Sequence, residues 1–583
     1  MSLTASSAAK PAASPYPQVI DPQVVDPQVF ARRRAFALLM LYALLVFLPG
    51  MFTLPLTDRD EAGYIEATRE MLLANRFILM EVAGAPLNDP KPVGIHWLQA
   101  PLVWAFQLAD SNETVWVYRL VSLFGALGSV ALTFALGRRL FDAQVAWVGA
   151  FAYASSLCLM IESTIAKTDA ALQFSLVAAM LAALYLASGM LDRSPAERRR
   201  FAQAAQTRRN AALFWIMLAV GVLIKGPVIL VVCGLFVMSI SLLWREIGWW
   251  RAYQLHWGIP LFLLLAVPWF VAASLASDGA YLRDSLMTDA LPKLFGSRHG
   301  HAAPFGTQLL LSQLWLWPGL LLAYPALHGA WQRRREQPVR LLLCWLLPVW
   351  LFFEISVNKL PHYVMPTYPA LMLLGAYALQ QAELRWARRI AALLVLLVAL
   401  LLAALIAASH FAYASERQSL GLLLAVLVLL PALALALAFW RQRNWLPLLG
   451  ITAILFSLSF MELTLPRLDR LHSSENMVRA LSDAGIDPSR PVIVSQYGEQ
   501  SLVFRLGPER FRKGGSIEAI VAQLTLEPAT VALVLEEDWP VLREIAEQRG
   551  WPLALLGQFE TYSYNLSGER LLTYRLVARK PEP

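Results

Sequence analysis

Residues 32–64 read RRRAFALLMLYALLVFLPGMFTLPLTDRDEAGY, and this stretch decides the class of fold. Arg32, Arg33 and Arg34 precede an apolar run over about 35–54. Asp58, Asp60 and Glu61 follow it, three acids in four residues. An apolar run of about 20 residues is long enough for a helix to cross a bilayer. Lys and Arg are held in cytoplasmic loops, so this helix is expected to start inside and end outside. A secretory signal would carry a small-residue cleavage site after the run, and none follows.

The pattern recurs along the chain. Further apolar runs lie at about 114–136, 144–163, 169–190, 211–225, 227–243, 256–276, 307–326, 340–356, 362–381, 390–410, 419–439 and 445–463, which makes about thirteen. Alternate loops carry the arginines: Arg138 and Arg139, Arg193 to Arg209, Arg245 with Arg251, Arg333 to Arg335, Arg385 with Arg388 and Arg389, and Arg441 with Arg443. These loops are expected in the cytoplasm, and the intervening ones, with everything after about 466, outside it. The whole chain fits: 57% of its 583 residues are hydrophobic and 15% are charged, against roughly 45–50% and 25% in soluble domains. That excludes a soluble, a disordered or a disulfide-stapled protein. Cys158, Cys233 and Cys344 lie inside apolar runs and read as small buried hydrophobes. The net charge of +8 follows from the inside arginines and calls for no nucleic acid.

The expected architecture is a polytopic α-helical membrane protein with about thirteen transmembrane helices over 32–465. Residues 1–31, rich in Ala, Ser and Pro, read as a disordered cytoplasmic tail. Residues 466–583 read as a periplasmic α/β domain. Pro491–Ser495 and Ala529–Leu535 are β-branched runs, about 475–484 and 538–549 have helical period, and runs near 554–561 and 570–578 alternate like strands.

The outer loops hold the chemistry. In the loop over about 55–113, Tyr64, Ala67 and Met71 recur at helical spacing, which predicts a two-faced helix lying in the interface. The acids before it suit a helix N-terminus, and a plain solvated loop would look the same. Later in the loop Lys91 stands between Pro90 and Pro92, which fix its backbone. Lys167 and Asp169, Lys225, the Arg298-His299-Gly300-His301 segment and the Asn358-Lys359-Leu360-Pro361-His362-Tyr363 segment fall on the same outer side. Lysines kept outside, where positive charge is otherwise scarce, point to a bound phosphate. Cations on a phosphate leaving group stabilise its developing charge, and a carboxylate can take a proton from an acceptor. His299 and His301 alone make a weak metal site, since zinc takes three or four ligands. No cofactor or metal is therefore expected.

Asp60-Glu61 after the first run, Lys91-Pro92 in the loop and Lys359-Leu360-Pro361-His362-Tyr363-Val364-Met365-Pro366 resemble the protein O-mannosyltransferase-like family of C-type glycosyltransferases, and within it the lipid A aminoarabinose transferases. The resemblance implies Asp60 as the essential acid, with Glu61 beside it and Asp169 as a second acid. It implies Lys91 on the carrier phosphate, supported by Lys225, Lys359, Arg59, His299 or His301. Tyr363, Asn88 and His362 would line the substrate pocket. The chain departs from the family at Gly63, where an arginine is expected, with Arg59 and Arg119 as candidates to replace it. Asn88 and Val93 stand where the relatives have tyrosine and proline.

The implied reaction is an inverting transfer of a sugar from a polyprenyl-phosphate donor to a periplasmic acceptor, lipid A first, at the bacterial inner membrane. A different glycan, lipid or protein hydroxyl as acceptor keeps the same motifs, and product mass discriminates. A transporter or flippase of lipid-linked substrates would place its charges at the midplane and often shows repeats. Here the charges gather at the outer boundary and no repeat is visible.

Overall fold

The computed structural model describes residues 27–57, 60–82, 85–86, 91–191, 193–245, 248–285, 302–381, 384–495, 498–512, 514–563 and 570–579. The 1–26 part of the expected tail, Arg59, Asn88, His299 and His301 lie outside the described residues.

With no water in a bilayer core, backbone groups must pair within each segment, so apolar runs become helices. Eight helices are long and apolar enough to cross: Trp116–Leu140, Asp169–Ser188, Ala205–Lys225, Leu255–Ala276, Gln337–Ile355, Arg385–Tyr413, Leu420–Trp440 and Leu446–Arg467. Two bent pairs raise the number to ten: Ala143–Ala154 with Leu157–Thr164, bent by 61°, and Thr307–Trp315 with Gly319–Gln332, bent by 119°. Outward faces stay apolar, with Leu242, Leu264 and Leu275 among the exposed side chains, as a lipid-facing surface requires.

Asp169–Ser188 is the most enclosed of the eight. It packs between Trp116–Leu140 and Ala205–Lys225. Gly125 allows the first contact, since a Cβ there would stand 2.6 Å from the Ala170 carbonyl oxygen. Small residues let membrane helices approach this closely. The consequence is that Asp169, at the first turn, is held deep among three helices.

The first loop folds as helix Asp60–Leu73, a short hairpin (β1 Glu81–Val82, β2 Ala85–Pro86) and helix Gly94–Ala105. The expected two-faced interfacial helix takes another form here. Asp60–Leu73 is buried nearly all round, including Glu61, Glu66, Thr68 and Arg69. Helix Gln500–Leu506 of the C-terminal domain packs against it, which leaves exposure mainly at its two ends, Asp60 and Leu73.

That domain holds a five-stranded sheet of β3 (Val492–Val494), β4 (Phe511–Arg512), β5 (Val531–Leu535), β6 (Leu553–Ser563) and β7 (Arg570–Arg579). Their order is β4-β3-β5-β7-β6. β3 runs parallel to β4 and β5, while β7 is antiparallel to β5 and β6. Helices Ser473–Asp483, Gln500–Leu506, Ile517–Leu526 and Trp539–Gln548 complete it. β5 is buried at every residue, as a strand covered on both faces must be.

Candidate active site

Glu61 and Asp60 are neighbours with different surroundings. Asp60 is exposed at the first position of its helix. Glu61 is buried and accepts hydrogen bonds from five donors: Thr57 N at 3.0 Å, Thr57 Oγ1 at 2.7 Å, Arg119 Nε at 2.8 Å, Arg119 Nη2 at 3.1 Å and Ala166 N at 2.8 Å. Burial pushes its carboxyl pKa up, but Arg119 and the hydrogen bonds outweigh that and hold it below the usual range. Arg119 also donates to the carbonyls of Met51 at 3.2 Å, Leu54 at 2.8 Å and Pro55 at 3.1 Å. The pair therefore ties the end of the first helix segment, the loop helix and the Ala166 segment together.

Beyond Glu61 lies an ionic cluster. Lys225 Nζ donates to Asp169 Oδ1 at 2.5 Å. Lys167 Nζ stands 3.6 Å from Glu162 Oε1 and 4.0 Å from Asp169 Oδ2. His362 spans the two acids, Nδ1 at 3.8 Å from Glu162 Oε1 and Nε2 at 3.5 Å from Asp169 Oδ1. Burial alone would lower the Lys167 pKa, but Glu162, Asp169 and Asp60 outweigh it and raise it, so Lys167 carries its charge. The acids are the deeper members and the three basic groups the more accessible ones: side-chain exposure is 5% and 7% for Asp169 and Glu162, against 16–18% for His362, Lys225 and Lys167. Lys167 and Lys225 thus stand on the accessible side, the arrangement that suits an anionic ligand.

The segment after Lys91 packs on the helix that carries Lys225. A Cβ on Gly94 would lie 2.6 Å from the backbone of Leu223, two residues before Lys225. Only glycine lets the Lys91-Pro92-Val93 segment press so closely on that helix. Lys91 itself is half-buried.

The 359–363 segment is split in its contacts. His362 joins the cluster. Tyr363 packs its ring against Phe353 at 5.6 Å and His362 at 5.3 Å between centroids. Lys359 donates to the Ser356 carbonyl at 2.6 Å and lines a groove of roughly 490 Å³ with Ala302, Pro304, Phe305, Ile355 and Val357. Glu354 borders the groove and caps helix Thr307–Trp315 by accepting from the backbone of Gly306, Gln308 and Leu309. Among the described residues no group of three or more His, Cys, Asp and Glu is placed to hold a metal ion.

In the sequence Glu162 is a single acid inside the apolar run over 144–163. An ionisable residue inside such a run is itself the signal.

The helices and this cluster of lysines and acids describe a polytopic membrane protein with an ionic site among its helix ends. Residues 31–276 match the model of the dolichyl-phosphate-mannose-protein mannosyltransferase family. The chain is 30% identical over 361 residues to the undecaprenyl phosphate-alpha-4-amino-4-deoxy-L-arabinose arabinosyl transferase of Pseudomonas aeruginosa. It is 28% identical over 360 residues to the corresponding transferase 1 of Sodalis glossinidius. These matches span about 60% of this chain and 60% of each relative's length. The fold is shared with ArnT from Cupriavidus metallidurans, whose structure bound to undecaprenyl phosphate superposes with a TM-score of 0.69 at 18% identity, covering 94% of this chain and 98% of that one.

Proposed function

We propose that this chain is an integral-membrane glycosyltransferase that moves 4-amino-4-deoxy-L-arabinose from undecaprenyl phosphate to lipid A at the outer face of the inner membrane. The observation that carries the reading is the convergence of Lys167, Lys225 and His362 over the buried Asp169 and Glu162, with the Lys91 segment pressed beside them. The names of the relatives supply the sugar and the carrier. Lipid A is our choice of acceptor.

In the transfer an acceptor oxygen attacks the anomeric carbon. The bond from that carbon to the phosphate oxygen breaks, and undecaprenyl phosphate leaves with the negative charge. Lys91, Lys167 and Lys225 are placed to stabilise that charge as it develops. Asp169 and Glu162 hold the cations in position, so little reorganisation is needed. A phosphate of lipid A is already ionised near neutral pH, and Asp60 then orients a lysine or binds the sugar's amine. With a hydroxyl acceptor Asp60 is the base. Glu61, saturated by its five donors, positions Asp60 and does not touch substrate.

Thirteen crossings follow if both bent pairs and the helices Pro27–Phe47, Val228–Trp244 and Tyr368–Gln381 are counted with the eight. An odd number with the N-terminus inside puts the 466–583 domain in the periplasm, on the side of the cluster. The test is lipid A mass spectrometry in a host lacking its own aminoarabinose transferase but making the donor. The full chain adds one sugar mass to lipid A and Asp60→Asn does not. Unmodified lipid A with the wild-type chain well expressed overturns the reading.

A further inference from the structure

The C-terminal domain sends one side chain into the foundations of the site. Phe504 is fully buried in a core formed with Leu56, Ala62, Ile65, Val103, Val117, Tyr118 and Ala166. Among the described residues it is the only member of this core that comes from beyond residue 466. Its ring meets Tyr118 edge-on at 6.5 Å, and the Arg69 guanidinium lies over it at 5.5 Å. Two walls of the pocket matter for chemistry. Ala62 is next to Glu61 and two residues from Asp60. Ala166 precedes Lys167 and donates its backbone N–H to Glu61.

The short helix that carries Phe504 is anchored on both sides. Arg505 pairs with Glu475 through Nε and Nη2, each at 3.0 Å, and its Nη1 donates to the Asn112 carbonyl at 3.1 Å. Ser474 and Ser501 are hydrogen-bonded at 2.6 Å. On the loop helix Arg69 binds Glu66 at 3.0 Å and the Asn112 side chain. The ring is therefore held by its own domain and packed behind the two segments that present Asp60 and Lys167.

We propose that Phe504 is a positioning residue for the transfer reaction, a wedge through which the C-terminal domain fixes the Asp60–Leu73 helix and the Ala166–Asp169 segment in their working register. The inference rests on the proposed transferase function, and its action on the loop helix can be read without it. Removing the ring empties a pocket shared by both segments, and reacting groups displaced by about 1 Å lose rate steeply. Donor binding on Lys91 and Lys225 changes little, because neither touches this core.

The test uses the full chain in lipid nanodiscs with undecaprenyl-phosphate aminoarabinose and lipid A. Phe504→Ala is expected to lower kcat by about 30-fold with KM for the donor within about threefold. Hydrogen exchange in peptides spanning 60–73 and 164–169 rises, while β5 and β7 stay protected. Phe504→Leu, which refills most of the pocket, recovers both. Leu526→Ser, at an exposed position of the same domain, behaves as wild type. Wild-type kcat in Phe504→Ala overturns the proposal. So does loss of protection throughout the domain in both Phe504 variants, which would mean general unfolding. If the wild-type chain transfers nothing, the proposed reaction falls and exchange alone decides: faster exchange confined to 60–73 and 164–169 supports the wedge, and unchanged exchange refutes it.

Discussion

Replacing Glu61 by glutamine separates a positioning acid from a catalytic one. Glu61 Oε1 accepts from Arg119 Nε and Ala166 N, and Oε2 accepts from Arg119 Nη2, Thr57 N and Thr57 Oγ1. Glutamine keeps one accepting oxygen, so either two or three of these donors face an NH₂ group. Each buried donor left without an acceptor costs about 1–3 kcal/mol. Arg119, with 1% of its side chain exposed, also loses its counter-charge, and removing one member of a buried pair costs about 3–5 kcal/mol in all. The expected loss for Glu61→Gln is therefore about 4 kcal/mol, read as a clear drop in the temperature at which the purified protein loses its monodisperse state. Glu61→Leu with Arg119→Met removes the buried charge but leaves Thr57 N, Ala166 N and the carbonyls of Met51, Leu54 and Pro55 without their partners, so this double variant is expected to recover none of that loss. Glu61→Gln with wild-type thermal stability and no transfer would refute this reasoning and make Glu61 a group that meets substrate.

Three further outcomes follow from the same geometry. Lys225→Met removes the 2.5 Å partner of Asp169 and should lower kcat by about 100-fold, a size typical of a lost charge-stabilising donor, while Lys167 and His362 keep the fold intact; single-turnover kinetics check this. Gly94→Ala places a methyl group 2.6 Å from the Leu223 backbone, so the Lys91 segment must withdraw, and donor titration should show affinity weakened about tenfold with normal expression. Burial pushes the Glu66 carboxyl up to about 7, against the lowering effect of Arg69. A carboxyl with a raised folded pKa stabilises fully below its unfolded value and loses that contribution as pH rises through the folded one. Thermal stability should then fall from about pH 5 to pH 7, by at most about 1.4 kcal/mol per pH unit, and Glu66→Gln should flatten the slope; an unchanged slope in the variant contradicts the assignment.

The membrane helices were legible because a bilayer demands long apolar runs, and each run over 114–463 corresponds to a helix or a bent pair. The bends were not legible. Ala154-Ser155-Ser156 and the turn at Trp317-Pro318 divide runs whose composition is continuous, and packing against neighbouring helices decides where they break. The acids and lysines at the ends of runs announced Asp169, Lys167 and Lys225. Asp60 and Glu61 could not be told apart, since adjacent positions on a helix point about 100° apart and only the surrounding core shows which one is turned inward. In the tail, β-branched runs marked β3 and β5 and alternation marked β6 and β7, whereas β4 is two residues long and Gln500–Leu506 a single short helix. Phe504 carries no local signal at all, because its pocket is built from residues hundreds of positions earlier.

The central claim is tested most directly by reconstitution. Purified full-length chain is incubated with undecaprenyl-phosphate aminoarabinose and lipid A, and the lipid products are weighed by mass spectrometry. The account predicts lipid A heavier by one aminoarabinose and an equal yield of undecaprenyl phosphate, both lost in Asp60→Asn and strongly reduced in Lys225→Met. Intact donor and unmodified lipid A with the wild-type chain, or equal product from Asp60→Asn, would contradict it.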